Sequence, residues 1–267
     1  MVDTRSAEPR AMDLTRPAAA RIYDSFLGGS HNFGVDREVV ERIGGELPGI
    51  GESYWENRAF LRRAVEFMLA HGVRQFLDLG SGIPTIGPVH EIARRRTREF
   101  RVVYVENEPL TVAHSRPLLA AEPNATIIHD DLRAPDSVLR TSQVRQFLDL
   151  DRPIGLLMSA VLHFVPDTDR PAELVEAYRD ALAPGSHLLI SHLTDSHDPA
   201  AMQVLTGFYM ESSDPMHPRG TSVVEKFFGD FEQVPPGPAL LSDWRPEPGA
   251  RDRPTYALLH GGVARKP

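Results

Sequence analysis

The run Phe76-Leu77-Asp78-Leu79-Gly80-Ser81-Gly82-Ile83-Pro84-Thr85 constrains this chain more than any other stretch. Phe76, Leu77 and Leu79 suit a strand buried in a parallel sheet, and Gly80 and Gly82 let the main chain turn sharply and approach a ligand. Pro84 fits the first turn of a following helix, whose free N–H groups would face that ligand. Strand, glycine turn and helix in this order open a nucleotide-cofactor fold.

The same rhythm continues. Short apolar runs at 75–79, 101–105, 126–129, 154–159 and 187–191 alternate with helical patterns at 85–96, 110–121, 137–148 and 171–182. Such alternation implies a parallel sheet with right-handed crossovers. Two late strands, 231–234 and 256–260, flank a loop rich in Pro and Gly and read as an antiparallel hairpin closing the sheet. Residues 1–13 are polar and read as a flexible tail. A helical cap is expected over 14–72, ahead of a sheet-bearing core over 73–267, the two making one domain. In the cap, one helix ends at Gly28-Gly29 and a second, from 36 to 43, stops at Gly44-Gly45. A third has Ser53 and Glu56 at capping-box spacing, with Phe60, Leu61, Ala64, Val65, Met68 and Leu69 at helical period up to Gly72. Ser222 and Glu225 fit a second capping box for a helix over 222–228.

Composition narrows the functional classes. With 29 basic and 37 acidic residues the formal charge is −8, which weakens attraction to nucleic acid and to anionic membranes. There is no cysteine, so disulfides, thiolate metal sites and a cysteine nucleophile are excluded. The 11 histidines show no metal-ligand spacing. No run approaches the ~20 apolar residues of a membrane helix, and the polar start lacks a signal-peptide core, so a cytoplasmic location is the expectation.

The second strand delivers Glu106-Asn107-Glu108, with Glu106 placed 24 residues after Gly82. A carboxylate at that position commonly accepts hydrogen bonds from ribose hydroxyls. The third strand delivers Asp130-Asp131-Leu132 at the same sheet edge, where an acid, Asp131 above all, suits an adenine amino group. Small residues around Ser159 at the end of the fourth strand leave room for a ligand. A dinucleotide and S-adenosylmethionine both remain compatible. Thr85 stands where a dinucleotide fingerprint needs its third glycine, and the sheet begins only after a long helical preamble. Both observations favour S-adenosylmethionine.

FLDLGSGIPT, VVYVENEP, HDDLRAP, LLMSAVLHFVPD and LAPGSHLLISHL together resemble the class I, Rossmann-like methyltransferase fold. RIYDSFLGGSHNFGVDR, ENRAFLRRAVEFM and the C-terminal WRPEP resemble, more narrowly, a large bacterial family of S-adenosylmethionine-dependent methyltransferases. The resemblance implies a doubly wound, mostly parallel seven-stranded sheet, with S-adenosylmethionine as cofactor and S-adenosylhomocysteine as product. It places Gly80, Ser81 and Gly82 near the methionine part, Glu106 on the ribose, and Asp131 with Leu132 at the adenine. Glu106 and Glu108 stand where the family usually has aspartates. Tyr23, Asp78, Asn107, Asp130 and Ser159 complete the expected cofactor site. His163 is the candidate base. His31, Tyr209 and Met210, with His217 and Arg219, are candidates for the acceptor wall. The acceptor is expected to be a small molecule. Two alternatives stay open at this level: a non-enzymatic S-adenosylmethionine-binding sensor or interaction protein on the same fold, and an NAD-dependent oxidoreductase.

Overall fold

The structure, a computed structural model, describes residues 13–247 and 255–267. The expected tail, apart from Asp13, and the final Pro248 of the Trp-Arg-Pro-Glu-Pro motif lie outside the described residues.

Three helices precede the sheet: α1 (Ala19–Phe26), α2 (Gly34–Glu46) and α3 (Gly51–Ala70). There follow β1 (Gln75–Leu79), α4 (Val89–Arg94), β2 (Arg101–Glu106), α5 (Pro109–Leu119), β3 (Ala125–His129), α6 (Pro135–Arg140), α7 (Ser142–Phe147) and β4 (Ile154–Ser159). The chain ends with α8 (Pro171–Asp180), β5 (His187–Leu193), α9 (Pro199–Met210), α10 (Thr221–Lys226), β6 (Glu232–Gln233), β7 (Ala239–Leu240) and β8 (Leu259–Arg265). The strand order is β3-β2-β1-β4-β5-β8-β6, with β7 also paired to β8. The first five strands of this order are mutually parallel, and β8 runs antiparallel to β5. Strand order therefore reverses between β1 and β4, the switch point outside which open α/β sheets bind ligands.

Alternation along the strands builds a core on each face of the sheet. Phe76, Tyr104, Leu157 and Leu189 pack with α3 and the other cap helices, whereas Leu77, Val103, Leu156 and Leu188 pack beneath α8 and α10. The cap is joined to the sheet by a buried ion network. Arg21 on α1 contacts Asp36 (2.9 Å) and Glu108 (3.2 Å), and all three are at most 7% exposed. Asp36 also accepts the Phe33 N–H at the start of α2 and the Ala18 N–H before α1.

Several expectations are corrected. The helix after the glycine loop begins at Val89 rather than Thr85, because Gly82, Pro84, Gly87 and Pro88 break the intervening chain. Its N-terminus therefore does not supply donors to the glycine loop. α2 continues through Gly44-Gly45 to Glu46. Packing of Val39, Ile43 and Leu47 offsets the roughly 1 kcal/mol each glycine costs in a helix. Neither proposed capping box forms: the Ser53 hydroxyl donates to the Tyr256 carbonyl, and Glu225 pairs with His260. The pattern over 137–148 resolves into α6 and α7. An unforeseen helix, α9, opens at Pro199, with the Asp198 carboxylate accepting the Ala201 N–H. The sheet has eight strands rather than seven, and β8 continues past the expected stop at His260. Gly261 permits this, since a Cβ there would lie 2.1 Å from the Ile190 carbonyl oxygen.

Replacing Arg21 by Ala leaves two buried carboxylates facing each other. Urea unfolding of Arg21→Ala is expected to show a loss of about 3–5 kcal/mol. A loss under 1 kcal/mol would show that the cap is held by apolar contacts alone.

Candidate functional site

The carboxyl ends of β1 to β5 open into a cavity of about 770 Å³ roofed by α1, α3 and α9. This is toward the large end of the roughly 300–1,000 Å³ typical of small-molecule sites. All the residues expected at the cofactor line it: Tyr23, Asp78, Gly80, Ser81, Gly82, Glu106, Asn107, Asp130, Asp131, Leu132 and Ser159.

Its floor is the glycine loop. Gly80 has φ +66°, and a Cβ at this position would sit 2.1 Å from the Val161 side chain, so the turn requires glycine. Gly80 and Ser81 both donate to the Val105 carbonyl, and Gly82 donates to Glu106 (2.9 Å). The longer glutamate arm folds back so that its other oxygen accepts the Asn107 and Glu108 N–H groups. Three of about four acceptor positions on this carboxylate are thus filled, leaving one for a ligand. Glu108 caps α5 through the Thr111 N–H and pairs with Arg21, fixing the cap above the strand end.

Burial pushes Glu106 up to about 7, against the three N–H bonds that favour its ionised form. Burial also raises Asp78 to about 7, opposed by Arg58 and reinforced by Glu106. Asp131 behaves differently. Burial favours its neutral form, yet hydrogen bonds and charge from Arg133 hold it below the usual carboxylate range. Asp130 accepts from the Asp131 N–H and from the Ser137 and Thr141 hydroxyls, so it braces the turn into α6.

At the other end of the cavity, Ala160 adopts φ +53°, a strained conformation for alanine, with its N–H held by Ser191. Asn57 joins α1, α3 and the strand ends: its amide donates to Tyr23 (2.9 Å) and Ser159 (3.2 Å) and accepts from Ser191 (2.6 Å). A polar residue within the apolar stripe of α3 was the signal that reading by pattern passed over. Arg58, the next residue, lies over the Tyr23 ring at 5.0 Å, with its Nε buried and unpartnered.

The acceptor candidates divide. Tyr209 lines the cavity, buried, with its hydroxyl 3.0 Å from that of Tyr54, and His217 also lines it. Met210 is 56% exposed at the end of α9, because the helix turns it away from the roof that Tyr209 joins. His31 is not on the wall, and its ring lies against His114 with centroids 5.5 Å apart. Arg219 is buried between Asp167, the Leu162 and Val165 carbonyls and His192, bracing the segment after β4 instead of facing the cavity. His163 lines the cavity, but its Nδ1 accepts the Leu193 N–H, so the ring carries its proton on Nε2. Burial, His192 and Arg219 hold it well below the usual histidine range. As placed, His163 is neutral, with its donor at Nε2.

Comparison with known proteins decides the family. A model of the S-adenosyl methyltransferase family matches residues 5–267. The chain belongs to the S-adenosyl methyltransferase family. S-adenosylmethionine is its cofactor. The methyltransferase is similar to two crystal structures over nearly its whole length. One is a proposed methyltransferase of Thermobifida fusca YX, 37% identical, with a TM-score of 0.89 and 97% of this chain and 98% of that chain covered. The other is a DUF574 family protein of Streptomyces avermitilis MA-4680, 34% identical, with a TM-score of 0.91 and coverage of 96% and 100%. An O-methyltransferase family protein of Burkholderia thailandensis, 14% identical with a TM-score of 0.51 over 79% of this chain and 58% of that one, shares the fold. No curated protein matches the methyltransferase. No described helix is long and apolar enough to cross a membrane.

Asp78 and Glu106 bind protons more tightly in the folded than in the unfolded chain. Their contribution to stability is therefore greatest below their unfolded values near 4 and is lost as pH rises through about 7. Asp78→Asn removes one of these charges. It is expected to raise the Tm of the ligand-free protein by on the order of 5 °C at pH 8, with little change at pH 5. An equal shift at both values would show that Asp78 acts by packing and not by charge.

Proposed function

We propose that the adenosine of S-adenosylmethionine lies along the ends of β3 and β2, that its methionine part crosses the glycine loop, and that a small-molecule acceptor occupies the space over β4, β5 and β8. One observation carries this reading. Arg58 and Asp78 line the cavity beside the glycine loop with opposite charges, yet form no ion pair or hydrogen bond with each other or with other described side chains. Two opposite charges at one wall, near enough for Arg58 to oppose the rise at Asp78 yet not in direct contact, match the carboxylate and ammonium of a zwitterion. Asp78 faces the ammonium and Arg58 the carboxylate. Glu106 offers its remaining acceptor position to a ribose hydroxyl. Asp131, kept ionised by Arg133, accepts from the adenine amino group beside Leu132. Asn107 donates to both carboxylates, from its N–H to Glu106 and from its amide to Asp131, while Asp130 braces the turn that carries Asp131. Tyr23 and Ser159, tied together by Asn57, border the junction between cofactor and acceptor.

S-adenosylmethionine supplies an electrophilic methyl group on its sulfonium sulfur. The protein's part is to align the acceptor with that methyl and to exclude water, both of which a roofed cavity with fixed walls supports. α1 closes the roof, anchored by the Ala19 N–H to Asp214 and by Ser213 to the Pro17 carbonyl.

Arg58→Gln is expected to weaken S-adenosylhomocysteine binding by about 10–100-fold in calorimetry, the loss of one charge-assisted hydrogen-bonding partner. Methylthioadenosine, which lacks the amino-acid part, should bind the variant and the parent equally. Equal weakening of both ligands would show that Arg58 supports the fold and not the carboxylate.

A further inference from the structure

The walls of the cavity differ along the sheet edge. Over β3, β2 and β1 they are acidic and glycine-rich; over β4, β5 and β8 they are built from Leu27, Ile50, Phe164, Leu205, Met216 and Leu258. No lysine or arginine belongs to this second half, since Arg58 and Arg133 stand on the first. Its polar side chains include the Asp214 carboxylate and His217, and beside them a buried pair of hydroxyls. Tyr54 on α3 and Tyr209 on α9 are at least nine-tenths buried, and their hydroxyls meet at 3.0 Å. Two hydroxyls share one hydrogen between them, so the pair retains a second O–H with no acceptor among the described residues. His163 adds a donor at Nε2. The ring walls are fixed by stacking of Phe26 on Tyr54 at 4.1 Å and by Phe164 tilted on Tyr209 at 5.8 Å.

The geometry points to an aromatic phenol or enol as the methyl acceptor, with the Tyr54–Tyr209 pair donating a hydrogen bond to its oxygen. This rests on the placement of the cofactor given above. An apolar slot with aromatic walls takes a flat, uncharged skeleton. A buried donor without a partner discriminates for a ligand oxygen, because any ligand lacking one leaves the O–H unpaired. A carboxylate acceptor would meet no cation. A phenolic or enolic hydroxyl is acidic enough to pass its proton to water as the new bond forms. The acceptor oxygen then uses a lone pair to form the O–CH3 bond while the S–CH3 bond breaks, its electron pair staying on sulfur. The products are the methyl ether and S-adenosylhomocysteine, and the phenolic proton goes to solvent.

The test uses the full chain saturated with S-adenosylhomocysteine, titrated with 4-nitrophenol and followed by calorimetry and by the absorbance of the phenol. Saturable binding at least about tenfold tighter than that of 4-nitrobenzoate is expected. Tyr54→Phe or Tyr209→Phe alone leaves one hydroxyl free to donate and should weaken 4-nitrophenol by less than about threefold. The double variant Tyr54→Phe/Tyr209→Phe removes the donor and should weaken it by about 3–10-fold, with loss of the absorbance shift, while S-adenosylhomocysteine still saturates the protein. Tighter binding of 4-nitrobenzoate, or an unchanged affinity in the double variant, would overturn the proposal. Failure of S-adenosylhomocysteine itself to bind would overturn the cofactor placement, a result distinct from failure of the phenol.

Discussion

The Arg21–Asp36–Glu108 network carries the site. Glu108 sits two residues beyond Glu106, so one end of the network belongs to the strand that brings the expected ribose carboxylate to the cavity. Its other end organises the starts of α1 and α2 through Asp36. A buried guanidinium between two carboxylates is tolerable only if all three are in place, because any one left alone would be an unpaired charge in a low-dielectric interior. Cap and sheet edge are thereby set in one geometry. Tyr23 and Asp24 of α1 come to the cavity wall as a consequence, and Asp24 ties Thr85 of the glycine loop to the roof.

Topology explains why one cavity has two chemistries. The chain places β1, β2 and β3 on one side of the switch point, where the strand ends contribute Asp78 and Glu106 and the turn after β3 contributes Asp130 and Asp131. The return to β4, β5 and β8 places Ser159, Leu193 and Leu259 on the other side, beneath α3 and α9. β8 contributes at this edge although it runs antiparallel, because Leu259 at its start pairs with Leu193 at the end of β5. A polar half and an apolar half of the cavity follow from the strand order.

Much of this was legible in the residues. The five parallel strands fell within a residue or two of their expected bounds because each is a short apolar run between breakers, and the glycine loop and Glu106 stand in the expected relation. Capping signals misled: Ser53 and Glu225 have the right spacing, but partners from Tyr256 and His260 claim them. α9 was marked by Asp198-Pro199 and missed because its polar surroundings obscured Met202, Leu205 and Tyr209. Asn57 and Arg58 were hidden inside a convincing helix, since a helical period tells which face is buried and not what lies opposite it.

By itself the sequence determined the sheet, the glycine turn and the acids at the ends of β2 and β3, because these depend on local periodicity and on spacing within one strand–helix unit. Only the tertiary structure decided which polar groups are left without partners. His163 and Arg219 are occupied by residues distant in the chain, whereas Arg58, Asp78 and one hydrogen of the Tyr54–Tyr209 pair have no hydrogen-bond partner among the described residues. Pairing of that kind is settled by groups that meet across the fold, so no local pattern can reveal it.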